Sequence, residues 1–292
     1  MQGFLRIFLA ATVMLLASAS PTFAAGAGHQ MPLNAEYIGG IWTNSWLMVW
    51  ISTGLIVLFC RVAAGKISIV PAGMQNFAEW LIEGLYNFFG SLLGPELVKK
   101  TFWFFGGTFL FILLTNWLAL IPGVGTLGWE VTMRDDAGNE AVKWLPIMRG
   151  GNADLNMTSA MAVTFMVVWF YWALQANGIK GFVAHIFAPK GKFQGVMMKM
   201  MVVIFFLVGL LEVISILIRP IALSFRLFGN IYGGEQALEK LMGLVPPNMA
   251  FLPAFPFYFM EILVGLIQAL VFSLLAAIFL NLICDHGDEE HH

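Results

Sequence analysis

Five long apolar stretches restrict the fold of this chain more than any other feature of its sequence. A helix needs about 20 apolar residues to cross the hydrocarbon core of a bilayer, and within lipid it must satisfy its own backbone hydrogen bonds. The stretches lie approximately at residues 42–62, 101–121, 155–176, 200–244 and 251–284. The pattern therefore predicts an all-α polytopic membrane protein with about five transmembrane helices.

The composition agrees with this class and limits the chemistry. Of the 292 residues, 59% are hydrophobic and 11% are charged, whereas soluble domains are about 45–50% apolar and about 25% charged. The sequence contains no G-x-x-x-x-G-K-[ST] phosphate loop, so we expect no nucleotide site in it. Cys60 and Cys284 have no partner at metal or redox spacing, and we interpret them as small apolar residues rather than a disulfide. We expect no cofactor, no metal site and no nucleic-acid partner.

The first 25 residues have the three-part pattern of a secretory signal. Arg6 precedes an apolar core at residues 7–17, and small residues near Ala24 suit a cleavage site. Cleavage would leave the mature N-terminus outside and residues 26–292 as a single membrane domain. A retained short helix is the alternative.

Residues 71–98 predict an in-plane amphipathic helix on the cytoplasmic side. Three glutamates interrupt apolar residues at helical spacing, which favours a helix lying along the membrane surface. Pro71 suits its first turn, and Gly94 followed by Pro95 suits its end. The outer loop at residues 124–153 is polar and of mixed charge, and nothing in it indicates catalysis.

The lysines predict the orientation of the chain. Residues 177–199 contain four lysines and no acid, and excess lysine and arginine marks cytoplasmic loops. With five spans, this predicts an outside N-terminus and a cytoplasmic C-terminus.

The last two stretches are too long for upright spans. Forty-five residues of straight helix, the length of residues 200–244, would measure roughly 68 Å at about 1.5 Å per residue. We therefore expect both helices to be strongly tilted, broken, or both. Pro220, Gly229, Gly233 and Gly234 offer positions for breaks.

Charged side chains recur at regular intervals within these two stretches. Glu212, Arg219 and Arg226 are seven residues apart, as are Glu261 and Gln268. Seven residues are close to two helical turns, so each set shares one face. Two such helices side by side would line a polar seam in apolar surroundings. An arginine there stays charged and requires a carboxylate, water or carbonyl group.

Glu235 follows Arg226 by nine residues, which places it on nearly the opposite side of an unbroken helix. We expect Arg226 to face something outside the chain, and Glu235 to face the seam or solvent. Simpler interpretations remain for the other charges: Glu212 pairs with Arg219 as a structural bridge, or Arg219 and Lys240 mark interfaces.

The amides Asn230 and Gln268 also allow two interpretations. Such side chains often join helices within membranes by hydrogen bonds. They also suit a polar path for protons.

Several segments resemble subunit a of the F-type ATP synthase. The segment Leu-Ser-Phe-Arg-Leu-Phe-Gly-Asn-Ile-Tyr-Gly-Gly-Glu at 223–235 closely resembles the family signature. Residues 116–123, 153–158 and 267–272 resemble the end of the family's second span, the start of its third and its last helix. The resemblance covers nearly everything after residue 35.

The resemblance implies a non-enzymatic stator subunit in a bacterial inner membrane. Its partners would be a rotating c-ring, peripheral-stalk b subunits and other ATP synthase subunits, with the two long helices tilted against the ring. Arg226 would face the ring carboxylates and favour their ionised form, so that an arriving proton is released.

The family's half-channels can be transferred residue by residue. By this resemblance, Asn230, Glu235, Glu261 and Gln268 lie along the inlet from the outer side, with Gln268 close to Arg226. A sixth residue, Glu212, would lie on the cytoplasmic exit side.

One departure from the family pattern concerns Glu261. Some members have histidine there, whereas this chain has glutamates at both 235 and 261. Two neighbouring acids tend to share one proton, which suits a relay. Ala222 also replaces a serine of some members, so no role is assigned to it.

Three alternatives to a proton-translocating stator follow from the same residues. Sodium could replace the proton, because the ion-binding carboxylate belongs to the ring. A self-contained transporter should show internal repeats, and we find none. An intramembrane enzyme should show a nucleophile with a base or a metal motif within the apolar stretches, and we find neither.

Overall fold

The computed structural model describes residues 35, 37–39, 42–65, 67–121, 124, 128–134, 140–187, 196–243 and 251–284. Five helices make up most of this part of the chain: α1 (Asn44–Ala63), α2 (Met74–Ala119), α3 (Leu155–Phe187), α4 (Val196–Gly243) and α5 (Phe251–Cys284). All five are long and apolar enough to cross a membrane. The predicted fold class is confirmed, and the chain is a multi-pass membrane protein. The proposed signal at residues 1–25 lies outside the described residues.

Short antiparallel strands accompany the helices. Strand β1 (Tyr37–Gly39) pairs with β2 (Trp42–Thr43), directly before α1. Strands β3 (Gly128–Arg134) and β4 (Glu140–Pro146) form a hairpin in the loop between α2 and α3. The sequence pattern predicted a polar loop at these residues, within an all-α fold. A 3-10 turn at Gly151–Ala153 leads from the hairpin into α3.

Glycines with positive φ interrupt the second and third helices. Gly94 has φ 76° and ψ 164° inside α2 and is followed by Pro95, which confirms the predicted break between the amphipathic segment and the span. Gly178 has φ 67° inside α3. The third helix therefore extends beyond residue 176, where the sequence predicted its end, and continues past this bend to Phe187.

Helix α4 runs unbroken from Val196 to Gly243, in contrast to α2 and α3. The predicted breaks at Pro220, Gly229 and the Gly233–Gly234 pair are not found. Among the described residues, only Gly73, Gly94 and Gly178 have positive φ. Lipid offers backbone groups no water, so leaving the helical conformation costs more there than in solution, and the helix continues even through Pro220, which lacks a backbone N–H.

The apolar core lies between α2, α3 and α5. Its largest fully buried side chains include Phe105, Ile112, Phe165, Trp169 and Leu280. In contrast, only 6% of the most apolar 18-residue segment of α4 is buried, whereas 56% of the corresponding segment of α2 is buried. Helix α4 therefore packs on the bundle along a narrow stripe, and its remaining surface is available to lipid or to a partner.

Candidate functional site along the two long helices

An open groove lies between α4 and the end of α5. Its volume is about 420 Å³, and both Arg219 and Arg226 line it together with Leu275 and Phe279 of α5. The two arginines therefore share one side of α4, as their seven-residue spacing predicted. A mostly apolar groove that contains two arginines is a candidate functional site.

Glu212 and Arg219 form an ion pair within this face. Arg219 Nη2 donates to Glu212 Oε1 at 3.0 Å, and the Arg219 guanidinium lies 4.7 Å from the Phe279 ring centroid. The ion pair is the contact that one of the two interpretations of Glu212 expected. The Glu212 side chain is nearly half exposed, at 46%, so the pair lies at the rim of the groove. Its location is compatible with a role for Glu212 in a polar path.

Arg226 is exposed on the uncovered side of α4. The described part of the chain places no carboxylate within 4.0 Å of it, whereas Arg149 and Arg219 both have one. Leu223 and Leu227, on neighbouring positions, are buried at 2% and 1%. Arg226 therefore borders the open groove and is accessible from outside the chain, and what it faces there remains a prediction.

Glu261 of α5 is buried against the backbone of α4. It is 6% exposed, and its carboxyl group lies so close to Gly234 that a Cβ atom on that glycine would overlap it. The side chain thus occupies a space that only glycine leaves open. The sequence predicted Glu261 in a seam between the two helices, and its contact with α4 agrees with that expectation.

Glu235 turns towards the loop that precedes α3. Its Oε2 lies 3.9 Å from Arg149 Nε, and Arg149 also stacks 5.9 Å from the Tyr232 ring centroid. A Cβ atom on Gly150 would lie only 2.8 Å from Glu235 Oε1. Glu235 therefore contacts the loop that the sequence predicted to be polar and of mixed charge. Arg149 itself is only 5% exposed.

The two amides occupy different environments. Asn230 is exposed on α4, one turn after Arg226, and Gln268 is partly buried on α5. Their proposed closeness to a proton path remains a prediction.

A second polar cluster surrounds the start of α3, and the sequence analysis assigned no role to it. Asp154 accepts hydrogen bonds from Ser45 Oγ at 2.8 Å and from the backbone N–H of Asn156 at 3.0 Å. Nearby, Asn152 Nδ2 donates to Asn116 Oδ1 at 2.7 Å. The side chains of these residues come from α1, α2 and the 3-10 turn, so no spacing along the chain could have indicated their proximity.

Asp154 is 5% exposed and lies just outside the third span. Burial raises the pKa of its carboxyl group above the ordinary 3.8, although hydrogen bonds and the Arg149 charge act in the opposite direction. Ionisation of Asp154 is therefore costlier in the folded chain than in the unfolded chain. Its contribution to stability is fully present below pH 3.8 and is lost as the pH rises through the higher folded-state pKa.

We expect Asp154→Asn to flatten this dependence of stability on pH. The amide cannot ionise, so the variant should lose less thermal stability than the parent as the pH rises from about 4 to about 7. The measurement is the midpoint of thermal aggregation of the detergent-solubilised chain at several pH values. Parallel curves for parent and variant would contradict the assignment.

Comparisons with known proteins point to a single family. Residues 46–281 match the family model described as ATP synthase A chain. The "ATP synthase subunit a" of Solidesulfovibrio magneticus is 30% identical over 255 residues, which cover 87% of this chain and 90% of that protein. The "ATP synthase subunit a 1" of Pelobacter propionicus is 31% identical over 232 residues, covering 80% and 83% of the two chains.

A third relative supports the same assignment. The "ATP synthase subunit a" of Moorella thermoacetica is 28% identical over 253 residues, covering 86% of this chain and 96% of the relative. The family match includes all of α2, α3 and α4 and most of α1 and α5. The chain therefore belongs to the ATP synthase subunit a family and is a non-catalytic membrane subunit of that complex.

Proposed function

We propose that the chain is the proton-translocating stator subunit of an F-type ATP synthase. It provides two half-channels that lead to and from carboxylates on a rotating c-ring. The observation that carries this proposal is the exposed Arg226 on α4, together with Glu261 buried between α4 and α5. A permanent cation on an apolar outer surface requires a negative partner, and a ring carboxylate supplies one.

The inlet half-channel uses the acids on the bundle side of α4. Glu261 is buried between α4 and α5, and Glu235 lies one residue beyond the glycine that Glu261 contacts. Burial and mutual proximity allow carboxyl groups to exchange protons with water near ambient pH. Asn230 and Gln268 continue this path towards Arg226, and Glu212 belongs to the exit.

Arg226 couples the two half-channels to rotation. Its charge stabilises the ionised ring carboxylate opposite it, so a proton carried by the ring is released on arrival. The same charge repels a proton that would pass directly between the half-channels. The direction of net flow follows the proton-motive force.

The proposed complex lies in a bacterial inner membrane. The lysines at residues 177–199 support an outside N-terminus and a cytoplasmic C-terminus. The partners are the c-ring, the b subunits of the peripheral stalk and the remaining ATP synthase subunits.

The experiment is ATP-driven pumping by the assembled complex in inverted vesicles. We expect the lumen to acidify in sodium-free buffer at the same rate as in buffer with sodium. Acidification that fails without sodium, together with uptake of radioactive sodium after its addition, would favour the sodium-translocating version. Proton conduction by this chain alone in liposomes would favour a self-contained transporter.

A further inference from the structure

Arg149 is a buried cation in a part of the chain that the proposed mechanism does not use. It lies between β4 and the 3-10 turn at Gly151–Ala153, and its Nε is 3.9 Å from Glu235 Oε2. The guanidinium also stacks on Tyr232, one helical turn before Glu235 on α4. Arg149 is buried and Glu235 is partly exposed, so removing Glu235 would take a carboxylate away from a buried cation, which is costly.

The neighbouring Gly150 limits the space of the same carboxylate from another direction. A Cβ atom at position 150 would lie 2.8 Å from Glu235 Oε1 and 2.9 Å from Ala119 Cβ at the end of α2. The loop therefore contacts Glu235 with a charge at residue 149 and with bare backbone at residue 150. Both contacts restrict where the carboxylate can lie.

Glu261 has a different environment from Glu235. Its carboxyl group lies against Gly234, the residue directly before Glu235, and within the described ranges no lysine or arginine lies within 4.0 Å of it. Two neighbouring acids in a poorly solvated site resist double ionisation. A permanent cation beside only one of them favours the ionised form of that acid, so the other acid holds the proton.

We propose that Arg149 is a positioning residue that keeps Glu235 ionised, so that Glu261 alone carries the proton of this acid pair. This inference rests on the proposed inlet half-channel and divides the roles of its two glutamates. Arg149 and Glu235 form a neutral pair as seen from Glu261. Removing either charge therefore changes the proton affinity of Glu261 in a defined direction.

The titration of Glu261 must be distinguished from that of the other described groups around this site. Asp154 at the start of α3 senses the charge of Arg149, and Tyr232 of α4 stacks on it. From α2 the site is contacted by Ala119, which does not titrate. Asp154 is thus the main competitor, and an Asp154→Asn background removes it.

The test uses the complete complex in liposomes, with its catalytic part facing outward. The pH of the lumen, which contacts the inlet, is varied, while a potassium diffusion potential drives ATP synthesis. Arg149→Gln should move the midpoint of the pH profile upward by about one pH unit, the smaller end of typical effects of a neighbouring cation. Glu235→Gln should move it downward, and the double variant should return it to the parent value.

Three control variants accompany the two single variants and the double variant. Arg149→Lys keeps the charge and should keep the parent midpoint. Lys240→Gln removes an exposed cation from the same helix and should leave the profile unchanged. The upward shift caused by Arg149→Gln should persist in the Asp154→Asn background.

Several results would overturn the inference. Slower synthesis with an unchanged midpoint in every variant would make the ion pair purely structural. A shift that disappears in the Asp154→Asn background would show that Arg149 acts through Asp154. If Arg149→Gln does not assemble, the lowered midpoint of Glu235→Gln and the parent midpoint of the double variant still decide the matter. Failure of the proposed function would give a different result: ATP synthesis by the parent complex would require sodium and would not change with lumenal pH.

Discussion

Replacing Arg226 by alanine is expected to abolish ATP-driven proton pumping while the complex still assembles. Arg226 is exposed on the side of α4 that the bundle leaves uncovered, and its removal opens no cavity in the core. The folded chain should therefore tolerate the change. Without the cation, nothing favours release of a proton from a passing ring carboxylate. Pumping in inverted vesicles should fall to less than about one tenth of the parent rate, a loss of more than about 1.4 kcal/mol in barrier terms.

Arg219→Ala is the matched control for this variant. Arg219 lies seven residues earlier, lines the same groove and has its own carboxylate at 3.0 Å. Partly exposed ion pairs contribute little, about 0.2–1 kcal/mol, so most of the pumping should remain. Normal pumping by Arg226→Ala would make this arginine a structural charge and would remove the observation that carries the proposed function. Equal loss in both variants would point to the groove as a whole.

Gly234→Ala is expected to reduce the pumping rate about tenfold. A displacement of about 1 Å in a reacting group can lower a rate by up to about 10²-fold. The added methyl group would occupy the space of the Glu261 carboxyl group. A carboxyl group is the far end of a flexible side chain, so it can move away without unfolding the helices. Assembly should therefore persist, while the carboxyl group leaves its place against α4.

Two further variants make the Gly234 result specific. Gly54→Ala changes a helical glycine of α1 whose added Cβ would meet nothing within 4 Å, and it should pump normally. Combining Gly234→Ala with Glu261→Asp shortens the side chain and should restore part of the activity. If Gly234→Ala pumps as well as Gly54→Ala, the location of Glu261 against α4 has no part in proton transfer.

The sequence was sufficient wherever the structure depends on neighbours along the chain. Apolar length determined the five helices, because a bilayer demands it. The break at Gly94 followed from a glycine before a proline. The pairing of Glu212 with Arg219, and their shared face with Arg226, followed from a spacing of two helical turns.

The sequence was less reliable where tertiary context competes with local preference. Pro220 and the glycines of α4 suggested breaks, yet the helix is continuous. Local propensity assumes that water can accept freed backbone groups, and lipid removes that option. The hairpin of β3 and β4 was likewise not expected from its polar loop.

Only the tertiary structure decided the surroundings of the two acids that we propose for the inlet. Arg149 is separated from Glu235 by 86 positions, and Gly234 from Glu261 by 27. Spacing within a helix specifies which side chains share a face, but not which surface that face meets. The rotation and depth of α4 against α5, and the path of the loop before α3, set those contacts through packing of the whole bundle. The chain alone therefore indicated which residues are polar within the membrane, and the fold determined their partners.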